Sequence, residues 1–304
     1  MSNFTPISLL NIPAPTVVEP LDFETILAAM VADLQARDPA FTALVESDPA
    51  FKILEVAAYR EVLLRQRVND AAKGVMLAYA TGADLEQLGG LFGVTRNLIT
   101  PANPNANPPV AAVYETDSSL RYRIQLSLEG FSTAGPEGAY KFHALKVATI
   151  KDVAVAGPPT VAAGNVRVTI LSSVGNGAAS PAEIAAVNAV LNSEDVRPIT
   201  DLVTVQSATI IPYKLNIVLY VYSDWDAGVA ATQAEASVRA YAESVHRVSS
   251  DVRLSGIYAA AHIGGVERVV LQSTNGALIG GLEINKVQAP YLTEVIITTQ
   301  IAIP

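Results

Sequence analysis

The sequence predicts an α+β protein whose helical N-terminal region forms part of an intermolecular bundle, followed by two small mixed α/β domains. Apolar residues recur at helical spacing in the first third of the chain. After about residue 150 the period changes to the alternation of strands, and strand-like and helical segments then follow one another. Segregated helices followed by mixed units indicate the α+β class.

Composition excludes several classes of function. The 304 residues carry 20 basic and 29 acidic side chains, a net charge of −9, which argues against a generic nucleic-acid binder. There are no cysteines, so disulfides, thiolate metal sites and cysteine nucleophiles are excluded. No apolar run approaches the roughly 18–20 residues of a membrane helix, and we expect neither membrane insertion nor a Sec-type signal. Half of the residues are hydrophobic and 16% are charged, which favours permanent subunit contacts.

Prolines and changes of period divide the chain into five predicted segments. Four prolines before residue 21 indicate an extended arm whose order depends on a neighbour. A later stretch, LITPANPNANPPV, reads as a linker without regular structure. The predicted segments are an arm at 1–21, a helical bundle region at 22–97, a Pro/Asn-rich linker at 98–116, a first α+β domain at 117–208 and a second at 209–304.

Three helices are predicted in the bundle region. Asp22 is placed to cap a helix that stops near Arg37, before Asp38-Pro39. Asp48 and Pro49 are a typical start for a second helix to about Ala80, roughly 45 Å long. A third helix follows Thr81, which with Asp84 forms a capping-box-like start.

The long second helix carries two adjoining apolar stripes. One follows a heptad seam, and the other widens the apolar surface beyond the seam of a two-stranded coiled coil, so we expect more than one partner helix. The alternative is that both stripes pack on helices of this same chain. The candidate interface residues are Phe51, Leu54, Ala57, Val62, Leu64, Val68, Ala71, Val75 and Met76.

Beyond the linker, helices and strands alternate. Asp117 is placed to cap a helix through Leu128, and Ser255 to cap one through Ala261. Two segments, GAYKFHALKVATIKDVAVAG at 138–157 and GIYAAAHIGGVERVVLQST at 256–274, echo one another and suggest a duplicated α+β unit. The other predicted helices cover about 139–148, 181–191 and 228–248, and the strands lie near 153–155, 166–170, 202–205, 211–221, 266–272 and 293–303.

No candidate site for catalysis, metal or cofactor stands out. Glu243-x-x-His246 places a carboxylate and an imidazole on one helix face, but a dimetal bundle needs a second copy, so a solvated face is expected. For His143 and His262 we expect a hydrogen bond or cap near a helix end. The acidic residues Glu115, Asp117, Glu129 and Glu137 are explained by capping and solvation.

A glycine-rich turn after a strand has the outline of a nucleotide site. The segment GNGAAS, 175–180, precedes a helix, and Asp195 follows at a suitable distance. However, Ser180 replaces the third glycine, and Asp195 falls before the next strand. We therefore predict a plain strand-to-helix turn capped by Ser180. Because no other catalytic cluster stands out in the sequence, we also expect no cofactor and no enzymatic activity.

Four blocks taken together resemble a known family. They occur in the family's order and the likeness spans about residues 20–300. The chain resembles the baseplate J family of contractile phage tails and R-type tailocins in ATGADLEQLGGLFGVTR at 80–96, LRYRIQLSLEGFSTAGPEGAYKFHAL at 120–145, LNSEDVRPITDLVTVQSA at 191–208 and DVRLSGIYAAAHIGGVERVVL at 251–271. The Pro/Asn insert at 101–109 departs from the family, so no function is assigned to it.

The resemblance implies a structural wedge protein that links hub to sheath and rearranges as the baseplate ring opens. Similar proteins pair as two copies with one protein I-type partner through a helical bundle, and six such wedges form a ring. Further partners implied are a W-type sheath-initiating wedge protein, the hub and the neighbouring wedges. The resemblance places 22–80 in the bundle and the domains after Asp117 in arms around the ring.

The implied location is the distal end of a virion or tailocin particle that assembles in the bacterial cytoplasm. Two alternatives from other classes stay open. One is a peripheral receptor-binding tail component, and the other is a tail-associated envelope hydrolase with two carboxylates in a cleft.

Overall fold

The computed structural model describes residues 7, 9, 12–13, 15–41, 44–131, 137–194, 196–198, 200–273 and 276–302. The chain divides into two compact units, with the boundary between Thr95 and Arg96. We call the first the helical unit and the second the mixed unit. The mixed unit contains a two-stranded hairpin and two three-stranded sheets, and helices and sheets together make an α+β protein.

The helical unit begins as its capping residues predict. Asp22 accepts a hydrogen bond from Glu24 N at 3.3 Å, and Asp48 accepts one from Ala50 N at 2.8 Å, ahead of Pro49 in the first turn. Both predicted helix starts are therefore confirmed. The helices are α1 (Phe23–Arg37), α2 (Pro49–Gly74) and α3 (Gly82–Leu91).

Helix α2 is shorter than predicted because a glycine ends it. It stops at Gly74 instead of Ala80, and a Cβ atom at Gly74 would lie 2.9 Å from the Asp84 carboxylate on α3. The close approach of α3 therefore favours glycine at the point where the chain turns. Thr81 is the N-cap residue of α3, but its side chain makes no capping hydrogen bond, so the predicted capping box is wrong.

The segment predicted to lack regular structure contains a hairpin. Strands β1 (Leu98–Thr100) and β2 (Val113–Tyr114) pair antiparallel, and Asn103 bridges to Val110. The prolines and asparagines lie within the connection, whereas the flanking strands carry β-branched and aromatic residues that favour pairing. The prediction of an irregular segment is wrong for these flanks.

The first sheet has the order β3-β4-β5, with β3 antiparallel and β5 parallel to the central strand β4. The cap of α4 is Thr116, whose Oγ1 accepts from Ser119 N at 3.3 Å, and not Asp117 as predicted. Helix α5 ends at Ala144, short of the predicted Ala148. The elements are α4 (Asp117–Leu126), α5 (Glu137–Ala144), β3 (Ile150–Ala156), β4 (Asn165–Ser172), α6 (Pro181–Leu191) and β5 (Leu202–Ser207).

The second sheet has the order β7-β6-β8, again with one antiparallel and one parallel neighbour of the central strand β6. Arg253 and not Ser255 precedes α8 as its N-cap residue, and β8 starts five residues before the predicted 293. The elements are β6 (Thr209–Val221), α7 (Ala227–Val245), α8 (Leu254–Ala261), β7 (Val266–Leu271) and β8 (Gln288–Ile301).

The two echoed sequence segments occupy equivalent places. Each is a short helix followed by the antiparallel edge strand, α5-β3 in the first sheet and α8-β7 in the second. The chain order differs, because β3 precedes its central strand and β7 follows it. A single residue, Ala208, separates β5 from β6, and it is buried with Leu171, Val248 and Ala289 in a cluster between the sheets.

A buried ion pair holds the start of the mixed unit. Glu115 and Arg123 form a salt bridge with both side chains almost fully buried, and Asn97 N donates to Glu115 Oε1 at 2.8 Å. Arg96 donates to the Glu115 carbonyl oxygen at 2.7 Å and to Asp117 at 2.6 Å. The expected solvation of Glu115 is therefore wrong. Its carboxylate is enclosed and depends on Arg123 for neutralisation.

We expect Glu115→Ala to lower the free energy of unfolding of the mixed unit by about 3–5 kcal/mol, because Arg123 is left as a buried charge without its partner. The only tryptophan in the sequence, Trp225, lies in this unit, so its fluorescence in urea titrations reports the transition. Glu235→Ala, which breaks an exposed ion pair with Arg239, is the control and should cost about 1 kcal/mol or less. Equal losses of unfolding free energy in the two variants would contradict the role of the buried Glu115–Arg123 ion pair.

Candidate functional site

One face of helix α2 packs within the helical unit. Ala58 is fully buried under α1, which contributes Ile26 and Leu27 to the same cluster. Three candidate interface residues, Phe51, Leu54 and Val62, are partly buried against this cluster. On this face, the alternative interpretation applies: the apolar side chains of α2 pack on another helix of the same chain.

The opposite face of α2 is apolar and exposed. Ile53 is 70% exposed, Leu64 66% and Val68 60%, and the candidate residues Ala57 and Ala71 are also exposed. At 100° per residue these five positions lie within about 60° of one another around the helix axis. Val56 and Leu63, also exposed, lie further round the helix on one side. We call the first five of these residues the α2 face.

Exposed side chains of this size are costly to leave in water. Full burial of a Val, Leu or Ile side chain contributes about 1.5–3 kcal/mol. Contiguous apolar surface on a folded protein is typical of a site for another macromolecule. The α2 face thus has the physical character of a docking surface.

The apolar surface continues from α2 onto α3. A groove between the last turn of α2 and α3 is lined mainly by apolar and small residues, with the polar side chains of Asp84 and Gln87 among them. Val75 and Leu91, 72% and 79% exposed, stand at this groove. Val75 and Met76, both predicted interface residues, lie beyond the end of α2, and Met76 is half-buried.

Charged side chains flank the α2 face. On one side Glu61 bonds Arg65 at 2.5 Å, and Arg65 also bonds Glu19 at 3.1 Å. The hydrogen bond to Glu61 raises the pKa of Arg65, so this guanidinium keeps its charge. On the other side are the exposed Arg60 and Arg67, one heptad apart, for which the described part of the chain supplies no ion pair.

Asn69 fastens the N-terminal arm to the packed face of α2. It follows Val62 by one heptad and is buried, and its amide bonds both backbone groups of Glu19, accepting from N at 3.1 Å and donating to O at 2.8 Å. Sequence reasoning missed this residue. The sequence did contain a signal: an asparagine occupies a position of the packed stripe where an apolar side chain is expected.

The Glu243-x-x-His246 pair lies at the contact between the two sheets. His246 is buried, which contradicts the expected solvated face, and Lys151 on β3 donates to Glu243 Oε1 at 2.5 Å and to His246 Nδ1 at 3.0 Å. Asp152 Oδ2 accepts from Val248 N at 2.8 Å beside them. The ammonium group of Lys151 thus lies between the carboxylate of Glu243 and the imidazole of His246. These contacts join the first sheet to the second.

The glycine-rich turn is a capped helix start, as predicted. Ser180 and Glu183 form a complete capping box at the start of α6. Asp195, the other residue of that pattern, lies outside the described residues. His143 stands in the last turn of α5 and His262 is the C-cap residue of α8.

Two kinds of feature are absent from the described residues. These residues contain no group of three or more His, Cys, Asp and Glu side chains that could hold a metal ion. In the same part of the chain, no helix has the length and apolar character needed to cross a bilayer.

We expect stability to fall with acidification through His246. Burial is the main cause that lowers the pKa of His246, followed by the charge of Lys151, so the folded state favours the neutral imidazole. A lowered histidine pKa contributes stability above about pH 6.5, and this contribution is lost as the pH falls below that value. Asp152, whose pKa is raised by burial, acts in the opposite direction.

The measurement compares unfolding free energies of wild type and His246→Gln from about pH 7 to pH 5. The variant should lose less stability than wild type over this range. His262→Gln, which removes an exposed imidazole, is the matched control. Parallel pH curves for wild type and His246→Gln would contradict the role of His246.

We expect Asn69→Leu to release the arm, because both backbone groups of Glu19 lose their partner. The exchange of the Glu19 amide hydrogen, followed by mass spectrometry of a peptide covering 15–21, should accelerate to the rate of an unprotected amide. Gln66→Leu removes an exposed amide that bonds only within α2, to Asp70, and should leave this exchange unchanged. Retained protection of Glu19 in Asn69→Leu would show that other contacts hold the arm.

Comparisons with known proteins agree with the resemblance of the four blocks. A model of the baseplate J-like N-terminal domain matches residues 46–103, and a model of the baseplate J-like central domain matches residues 132–207. The first match contains α2, α3 and β1, and the second contains α5 and the first sheet.

A relative is similar over nearly all of both chains. Baseplate protein J of Escherichia phage P2 is 43% identical over 301 residues, which cover 96% of this chain and 97% of the relative. Among solved structures, the anti-feeding prophage baseplate includes a chain that is 12% identical, with a TM-score of 0.37 over 60% of this chain and 43% of that one. The family predicted from the sequence is confirmed, and this protein belongs to the baseplate J family.

Proposed function

We propose that this chain is a structural wedge component of the baseplate of a contractile tail. It links the hub to the sheath and rearranges as the baseplate ring opens. The observation that carries the proposal is the exposed apolar α2 face in a chain that belongs to a baseplate family. A family member with such a surface is suited to be a fixed part of an assembly of baseplate proteins.

The α2 face is proposed to join the chain to its wedge. Because the opposite face of α2 is already covered by α1, the exposed face is available to other chains. Together with Val56 and Leu63, which lie beyond Arg60 and Arg67, the exposed apolar positions extend over about 140° of the helix surface, wider than a single coiled-coil seam. The occupants proposed are a second copy of this chain and a protein I-type wedge partner, in a helical bundle.

The flanking charges indicate the chemistry of the bundle partner. Arg60 and Arg67 stand beside the apolar surface, where coiled-coil helices carry the charges that select their partners. A partner helix with acidic residues at the facing positions would neutralise both. We therefore expect glutamate or aspartate, one heptad apart, on the helix that lies against this side of α2.

The mixed unit is proposed to contact the neighbouring wedges, the hub and a W-type sheath-initiating protein. Its two sheets are joined by the buried cluster around Ala208 and by the contacts of Lys151 and Asp152. A ring with two states needs rigid parts that exchange one set of contacts for another. The boundary between Thr95 and Arg96 is the proposed place of movement between the two units.

No activity as an enzyme is proposed. The titratable groups that lie together at Lys151, Glu243 and His246 are engaged with one another between the sheets. The proposed location is the distal end of a phage tail or of a prophage-derived particle, assembled in the bacterial cytoplasm. The proposal includes neither nucleic-acid binding nor insertion into a membrane.

We expect Leu64→Asp to abolish wedge assembly, because it places a carboxylate without a partner in the centre of the α2 face. Leu64 is 66% exposed in the chain by itself, so the substitution should leave the folding of the helical unit almost unchanged. Assembly is measured by co-purification with the wedge partner after co-expression. Circular dichroism and the fluorescence of Trp225 check the fold of the variant.

The matched control is Gln66→Glu, which adds the same negative charge at an exposed position of α2 away from the apolar face. It should co-purify at the wild-type yield. Recovery of the partner with Leu64→Asp at that yield would overturn the proposed docking surface.

A further inference from the structure

Strand β8 is an open edge of the second sheet. It lies beside β6 in the order β7-β6-β8, and within the described residues no strand pairs with its other side. Helices α7 and α8 pack on the odd-numbered residues of β6, so they cover a face of the sheet. The outer side of β8 therefore presents backbone groups that a further strand could bond.

The register identifies those backbone groups. Ala302 N donates to Val221 O at 2.8 Å, so the even-numbered residues at this end of β8 bond β6. In a parallel pair, alternate residues direct both N–H and C=O to the opposite side. The groups that point outward belong to Val295, Ile297, Thr299 and Ile301.

This edge lacks the usual protection against pairing. The segment 295–302, VIITTQIA, contains no charged residue and no proline, and the register irregularity between β6 and β8 lies earlier, at Tyr213/Lys214. Natural proteins protect open edges with lysine, proline, bulges or a covering element. A long β-branched edge without these features is suited to be covered by another strand.

We propose that β8 pairs antiparallel with β8 of a second copy of this chain, centred on Thr298. This centre places Val295 opposite Ile301 and Ile297 opposite Thr299, so all four outward residues meet outward residues. Such pairs exchange two backbone hydrogen bonds each. The pairing would join the second sheets of two copies into one continuous sheet.

Charge and composition favour a second copy as the occupant. With the centre at Thr298, the nearest charge, Glu294, lies opposite Ala302 and not opposite another carboxylate. The segment before residue 21 contains four prolines, which lack an N–H group, so it cannot donate a full row of hydrogen bonds. The contact lies in the mixed unit and is independent of the α2 face.

The test uses the absence of cysteine from the sequence. In the proposed register, residue 298 faces its own copy as a non-hydrogen-bonded pair with Cα atoms about 4.5 Å apart, within disulfide range. Thr298→Cys in the full chain should therefore form a disulfide-linked dimer under mild oxidation. Gln300→Cys is exposed on the same side of the same strand, but the two copies of residue 300 would be about 13 Å apart. It should give no dimer.

A second change blocks the pairing without altering the ladder to β6. Thr299→Pro removes an N–H group that points outward, and added to Thr298→Cys it should abolish the disulfide-linked dimer. Trp225 fluorescence checks that the variant folds. Thr298→Cys combined with Leu64→Asp should still cross-link, so failure of the wedge contact and failure of this contact are distinguishable. Equal cross-linking at 298 and 300, or none at 298 in both the purified chain and assembled tails, would overturn the proposal.

Discussion

Helix α2 has apolar side chains on opposite faces, and the helical unit supplies cover for one of them. Helix α1 is short and packs on Ala58 and its neighbours, so Ile53, Leu64 and Val68 stay in water. This imbalance is the constraint on which the proposed function depends. A helix of this kind gains its remaining stabilisation only when further helices bury the second face.

The same helix also organises the N-terminal arm. Buried Asn69 uses its amide for the backbone of Glu19, and Arg65 reaches the Glu19 side chain from the adjoining turn. Glu19 therefore lies on the packed side and not on the α2 face. One helix thus separates an internal contact, made with its own chain, from an external surface that other chains can occupy.

Local chemistry made part of this fold predictable from the sequence. The caps Asp22, Asp48 and Ser180 mark helix starts because a side chain bonds an amide only two or three residues away. Contacts between distant residues were not predictable in this way. Asn69 and Glu19 are 50 positions apart, Gly74 ends α2 because α3 packs beside it, and Glu115 is acidic yet buried with Arg123. The exposed side of α2 was visible as a stripe, but its separation from the packed stripe required the position of α1.

The junction at Ala208 has a mechanical consequence. The last strand of one sheet and the central strand of the next are separated by this one buried residue, whose N–H bonds Ile170 O at 2.8 Å. A connection of this kind contains no flexible loop. A force applied to one sheet is therefore transmitted to the other with little deformation of the connection, so the two sheets can move together as one stiff body.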